Sequence, residues 1–197
     1  MKRPLILASA SRSRSNLLAA AGLDFQIVPA DVDESAVKRD MASAGPEAVA
    51  SALARTKALT VATTAPAALV IGADQMLECD GRWFDKPGDR ASARRQLLML
   101  RARSHRLISA VAVVCGHDVL WEGRDSARLV VRDFSDTFVD AYLDAVGPDV
   151  QNSVGAYHLE GRGAQLFDSV DGDFFTILGL PLLPLLACLR REGILPS

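Results

Sequence analysis

An α/β fold built on a mixed sheet is what the chain's apolar pattern predicts, and three observations carry that reading. Leu5-Ile6-Leu7-Ala8 is a short apolar run followed by small polar residues, then Leu17-Leu18-Ala19-Ala20-Ala21 and the stop signal Gly22. That is strand, polar turn, helix. Two longer strand-like runs, 105–115 and 119–132, are separated by Gly116-His117-Asp118, a hairpin signal foreign to a purely parallel doubly wound sheet. No repeat, low-complexity tract or long linker interrupts the 197 residues, so one cooperative domain over 1–197 is expected, pinched into two lobes around a cleft.

The remaining elements follow in order. Residues 25–28 form a second strand, ended by Pro29, and Asp31-Val32-Asp33-Glu34 reads as a solvated loop. A helix starts near 43–47 and runs to about residue 63, with Pro46 and Glu47 suited to its first turn. Residues 68–73 are a strongly apolar strand that stops at Asp74. The spacing of Ala93, Leu97 and Leu100 predicts a helix over 90–100 with one apolar face. Ser135-Asp136-Thr137 opens a helix to about residue 146, closed by Gly147-Pro148. Two strands, about 154–159 and 164–170, and a last helix over 181–191 complete the chain.

Composition sets the class. Hydrophobic residues make up 49% and charged residues 23%, ordinary globular usage. A chain of this length buries roughly 70% of its unfolded surface and needs no staples. With 22 basic against 24 acidic residues and a net charge of −2, no basic patch stands out. That argues against a nucleic-acid partner held by phosphate neutralisation, while leaving room for a small anion bound by a few focused cations. Cys79, Cys115 and Cys188 are far apart with no CxxC pair, which fits small core residues in a reducing cytosol. The apolar run at 5–8 is too short for a signal peptide, and residues 177–189 are broken by Gly179, Pro181 and Pro184. A cytoplasmic protein with no membrane partner is expected.

Several residues are candidates for chemistry. Ser9-Ala10-Ser11-Arg12-Ser13-Arg14 lies between a strand and a helix, where hydroxyls, amides and guanidinium groups make an anion site. The same residues also suit a solvated turn with a serine cap. Asp74, in Gly72-Ala73-Asp74-Gln75, sits where the strand is expected to end, a place where α/β proteins put ligands. It suits a metal ligand or a proton acceptor, or a plain turn cap. Glu34 is a second oxygen donor. Lys57 and Lys86 are lone lysines that would pass for surface charge.

The order of these pieces resembles the Maf family of nucleotide pyrophosphatases over residues 5–191. The matching pieces are Ser9 to Arg14 before Leu17-Leu18, the acids near Asp33-Glu34, and Leu53-Ala54-Arg55-Thr56-Lys57-Ala58. Gly72 to Gln75, Lys86-Pro87, Ser104-His105, Gly161-Arg162-Gly163 and Gly179-Leu180-Pro181-Leu182 follow in turn. Each piece is weak alone; eight in order are specific. The family's proline and the first arginine of its pair are Arg12 and Ser13 here, so only Arg14 carries that cation over.

The resemblance implies a Maf-like mixed, curved central sheet with flanking helices and two lobes around a central cleft. It implies water attack on the α-phosphate of a nucleoside triphosphate, with diphosphate leaving. Asp74 would be the proton acceptor, Glu34 and Asp74 the ligands of Mg²⁺ or Mn²⁺, and Ser9, Arg14, Lys57 and Lys86 the counter-charges of the triphosphate. Base choice would rest on Ser13, Gln75 and Glu160. The branch acting on dTTP and UTP has Arg, Thr and Gln there, and the branch acting on 7-methyl-GTP has Trp, Gln and Glu. Two of three positions favour a modified, guanine-like base, and with it the clearing of modified nucleotides from the pool. Three alternatives stay open: a dTTP/UTP pyrophosphatase, a phosphohydrolase releasing orthophosphate, and a non-enzymatic nucleotide sensor restraining septum formation. A homodimer is left open as well.

Overall fold

In a computed structural model the described residues are 3–196. The strands and helices are β1 (Leu5–Leu7), α1 (Arg12–Ala20), β2 (Gln26–Ile27), α2 (Glu34–Asp40), α3 (Pro46–Ala62), β3 (Leu69–Cys79) and β4 (Arg82–Phe84). Then come α4 (Arg90–Leu100), β5 (Ser104–Cys115), β6 (Asp118–Val131), α5 (Asp136–Val146), β7 (Phe167–Asp171), α6 (Phe174–Ile177) and α7 (Leu182–Arg191). The sheet is mixed, with strand order β2-β1-β3-β5-β6-β7 and β4 beside β3. Strand β1 is parallel to β2 and β3, whereas the β3–β4 and β6–β7 pairs are antiparallel.

The chain divides into two compact units. One comprises Met1–Gln75, Ile108–Asp125 and Gly179–Ser197. Its centre is apolar: Leu5, Ile6 and Leu7 of β1 pair with Leu69, Val70 and Ile71 of β3, and all six are buried. Helix α3 contributes Val49, Leu53, Ala54, Ala58 and Val61 to this core. The other unit comprises Met76–Leu107 and Ser126–Leu178. Its core gathers Leu77, Phe84, Leu97, Leu107, Leu129, Val139, Tyr142 and Tyr157 among others. The predicted apolar face of α4 is borne out, with Ala93, Leu97 and Leu100 its buried residues.

Three expectations are corrected. Strand β3 does not stop at Asp74 but runs five residues further, because Leu77, Glu78 and Cys79 find partners in β4, which has no counterpart in the sequence reading. Asp31, Val32 and Asp33 do lie in a loop, but Glu34 opens a helix that the sequence reading lacked: Asp33 caps α2 by accepting from the Ala36 amide at 2.9 Å. The helix went unread because none of its residues is buried, so it carries no apolar period. Residues 154–159 are not a strand. Gly155 and Ala156 take φ of 77° and 61°, incompatible with extended backbone, and a 3₁₀ turn forms instead.

The second unit buries an imidazole. His105 lies in β5 with its Nε2 2.6 Å from the Tyr157 hydroxyl, and both rings flank Phe167. Burial pulls the His105 pKa down from 6.5 to about 4. A depressed histidine stabilises the fold fully above the unfolded value of 6.5, and that contribution is lost as pH falls towards 4. We expect unfolding free energy to drop between pH 6.5 and 4 by up to about 1.4 kcal/mol per pH unit from this group alone. Urea titrations across that window should show the slope in the wild type and a shallower one in His105→Gln. Equal slopes would mean that His105 is already charged when folded.

Candidate active site

Strand β1 ends at Leu7, opposite Ile71, while β3 continues. Residues 72–76 of β3 therefore lie between the ladder with β1, which ends at Ile71, and the ladder with β4, which begins at Leu77. Asp74 thus sits beyond the carboxyl end of the neighbouring strand, not of its own. The backbone leaving β1 fills this place with polar groups. Ser9 is buried at its start, its Oγ accepts from the Ser11 amide at 3.3 Å, and Ser11 caps α1 by accepting from the Arg14 amide. The polar turn predicted between β1 and α1 is present, with Ser11 as its serine cap.

Arg14 emerges from the first turn of α1 and is almost wholly buried. Its Nε donates to the Gly179 carbonyl at 2.9 Å, and its Nη1 donates to the Ala73 carbonyl at 2.9 Å and to Ser9 Oγ at 3.2 Å. Burial pulls the guanidinium below its ordinary pKa, opposed by the nearby charges of Asp74 and Glu34. The residue therefore ties α1, β3 and the segment before α7 together as well as supplying charge. Gly179 accepts this contact at φ 98°, a backbone conformation that favours glycine.

Lys57 rises from α3 and places Nζ 2.6 Å from Asp74 Oδ1 and 2.7 Å from Glu34 Oε1. Lys57 and Asp74 are buried, while Glu34, at the first position of α2, is more open. Burying an ammonium and a carboxylate is costly unless each finds an opposite charge and hydrogen bonds. Here each is the other's partner. The approach of helix to strand depends on Gly72: a Cβ there would strike the Ala54 carbonyl and come within 2.6 Å of the Ala58 amide nitrogen. Any side chain at Gly72 pushes α3, and Lys57 with it, off β3.

Among the described residues, no three His, Cys, Asp or Glu side chains gather as a metal-binding group. The two carboxylates that do converge, Glu34 and Asp74, already surround one positive charge. Two hard oxygen donors of this kind fit Mg²⁺ or Mn²⁺, which usually take one or two protein carboxylates and complete their shell with phosphate and water.

Of the residues singled out from the sequence, the first unit brings together Ser9, Arg14, Glu34, Lys57 and Asp74. Gln75, next to Asp74, is half-buried and donates from Nε2 to Ser109 Oγ at 3.0 Å, while Ser13 is half-buried on α1. Lys86 and Glu160 belong to the second unit. Lys86 is exposed after β4, and Glu160 is exposed with Oε1 3.9 Å from His158 Nδ1. Sequence reasoning missed Ser109 and the carbonyls of Ala73 and Gly179. A lone serine inside the apolar run 107–114 was the available signal for the first.

Comparison with known proteins supplies a family. A model of the family described as "Maf-like protein" matches residues 4–192. The chain belongs to this family. A relative from Paramagnetospirillum magneticum, named nucleoside triphosphate pyrophosphatase, is 55% identical, covering 95% of this chain and 98% of the relative. One of the same name from Nitrobacter hamburgensis is 50% identical over 98% and 96% of the two chains. A Brucella abortus relative, named 7-methyl-GTP pyrophosphatase, is 47% identical over 95% and 96%. No described helix is long and apolar enough to cross a membrane.

Gly72→Ala should cost about 3 kcal/mol or more of stability, the upper range for overpacking against backbone. Urea midpoints measure it. A change under about 0.5 kcal/mol would mean that α3 can retreat freely and that the close approach is not what places Lys57.

Proposed function

We propose that this chain is a nucleoside triphosphate pyrophosphatase, a hydrolase cleaving the α–β phosphate bond to give the monophosphate and diphosphate. The observation that carries the reading is the buried Lys57 ammonium held between Asp74 and Glu34, beside the Ser9 and Arg14 turn. Family membership and the names of the relatives at 55% and 50% identity support it.

The chain's own groups divide the work. Asp74 takes the proton of the water whose oxygen attacks the α-phosphorus, as the bond to the β-phosphate oxygen breaks and diphosphate leaves. Ser9 Oγ and the amides of the first turn of α1 face phosphate oxygens, and Arg14 holds positive potential behind them. Lys57 orients Asp74 and adds a charge that the triphosphate oxygens can share. Glu34 and Asp74 would hold Mg²⁺ or Mn²⁺, and the metal would supply neutralisation of phosphate charge there. Lys86 takes its role as a further counter-charge from its Lys-Pro motif alone.

The base is proposed to be guanine-like, with 7-methyl-GTP the leading substrate. Gln75 and Glu160 support this, as does the printed name of the Brucella abortus relative. A carboxylate accepts from the guanine N1–H and N2–H edge and attracts a methylated, cationic base, whereas it repels the carbonyls of uracil. Ser13 offers no ring to stack on such a base, so the selection falls to Gln75 and Glu160.

Product analysis across a nucleotide panel tests the activity: diphosphate should appear only with a divalent metal present. Asp74→Asn should lower kcat by about 10²-fold with the fold intact. Orthophosphate as first product, or near-normal turnover by the variant, would overturn the assignment.

Glu160→Gln tests the base. Its kcat/KM for 7-methyl-GTP should fall by about 1–3 kcal/mol while that for UTP stays level or rises. Equal losses for both nucleotides would remove Glu160 from base selection.

A further inference from the structure

Strand β6 is long, and its outer neighbour is short. It pairs with β5 on one side, and β7 accompanies it on the other only over residues 128–131. Residues 118–124, which lie wholly in the first unit, therefore form an open sheet edge. Such an edge presents backbone N–H and C=O groups ready to pair with another strand, and proteins usually blunt it with proline or lysine. This one carries neither, and all its residues are exposed except Trp121 and Gly123, which are half-buried. Val119 and Leu120 leave 41% and 37% of their surface open.

The hairpin fixes which groups face outward. Gly116-His117 is a two-residue connection between β5 and β6, and Gly116 has φ 59°, as the first central residue of a tight hairpin turn requires. Cys115 and Asp118 then close the hairpin by bonding to each other, and alternation turns the amides and carbonyls of Val119, Trp121 and Gly123 to the open edge. Side chains alternate as well. Asp118, Leu120, Glu122 and Arg124 share one face, where Arg55 of α3 grips Glu122 at 2.7 and 2.8 Å. Val119, Trp121 and Gly123 share the other. There the Trp121 ring lies over Gly123, 2.5 Å from the point a Cβ would occupy.

We propose that two copies of this chain associate along this edge, by antiparallel pairing of β6 with β6 about a two-fold axis at Trp121. This pairing uses the outward groups of residues 119, 121 and 123. It sets Trp121 opposite Trp121, Val119 opposite Gly123 and, twice over, Asp118 opposite Arg124. Both charged residues are exposed, and neither has an ion-pair partner among the described residues of its own chain. Each finds one in the second copy. On the other face the two Val119 and two Trp121 side chains meet, the aliphatic and aromatic contacts that stabilise strand pairs. An axis one residue further on, at Glu122, would set two carboxylates directly opposite, which is destabilising. The strand is thus complementary to itself in one register. Pairing an edge with itself uses that edge up, so the assembly closes as a dimer.

Sedimentation equilibrium across the micromolar range tests the proposal, and no reading depends on nucleotide turnover. Wild-type protein should show a reversible monomer–dimer equilibrium. Asp118→Arg and Arg124→Asp each turn two attractive pairs into two repulsive ones, and each should raise the dimer Kd about 10-fold or more. Mixed in equal amounts, the two variants should associate with each other as wild type does, because every 118–124 pair is again of opposite sign. The double variant, with its charges exchanged, should also dimerise like wild type. A wild type that stays monomeric would overturn the proposal, as would single variants that dimerise undiminished. A mixture no tighter than its components, or assemblies larger than a dimer, would overturn it equally.

Discussion

Lys57 reaches Asp74 because nothing separates helix α3 from strand β3 at Gly72. The ion pair and the packing are one constraint. If the helix stood off by the width of a methyl group, the ammonium would lose its 2.6 Å contact and Asp74 would be a buried carboxylate without a partner. An unpaired buried charge costs several kcal/mol, so the fold could not keep Asp74 where it is without that approach. Glycine at 72 and small alanines at 54 and 58 are therefore as much part of the site as the charged residues they position.

The same economy governs Arg14. Three protein acceptors, the carbonyls of Ala73 and Gly179 and the Ser9 hydroxyl, lie within reach of its Nε and Nη1. Ala73 precedes Asp74, Gly179 opens the segment leading to α7, and Ser9 begins the turn after β1. One planar guanidinium with donors in a fixed fork holds three chain segments in register. Lysine could match its charge but not this geometry. The cation thus serves two levels at once, rigidity of the site and its electrostatic potential.

Legibility in the sequence followed burial. Helix α4 was read to its ends because its apolar face packs into a core and leaves a 3.6-residue period. Helix α2 packs no residue in a core and left no period, although Asp33 before Glu34, with Lys38 and Arg39 in the last turn, spelled a capped helix in its charges. Asp74 was found by its motif and misplaced in its strand. A polar pair inside β3 looks like an ending when the partner strand β4, only three residues long, has no signal of its own. The grouping of Ser9, Arg14, Glu34, Lys57 and Asp74 came from order along the chain, whereas the hydrogen bonds that bind them could not. Ala73 and Gly179 take part through their carbonyls, which every residue possesses and no sequence marks. Ser109 was visible as a lone hydroxyl among aliphatics, but what it holds depends on which residue of β3 lies beside it.

Charge balance gives the site its character. Arg14 and Lys57 bring two positive charges, Glu34 and Asp74 two negative ones, and the four sum to zero. Net charge therefore gives these residues no pull on a free anion, and any attraction has to come from their arrangement. The acids meet at Lys57 Nζ, while Arg14 and the first turn of α1 lie around Ser9. A neutral set separated in this way is a dipole, complementary to a ligand that is itself an ion pair with a cationic and an anionic end. On the proposed reading that ligand is the metal complex of a triphosphate, with its cation at the carboxylates and its phosphates at Ser9. The buried part of such a dipole acts in a low dielectric, where fixed charges need no reorganisation during the reaction. On that reading, removing either acid would leave the cations in excess and favour bare anions, so neutrality would favour the complexed substrate.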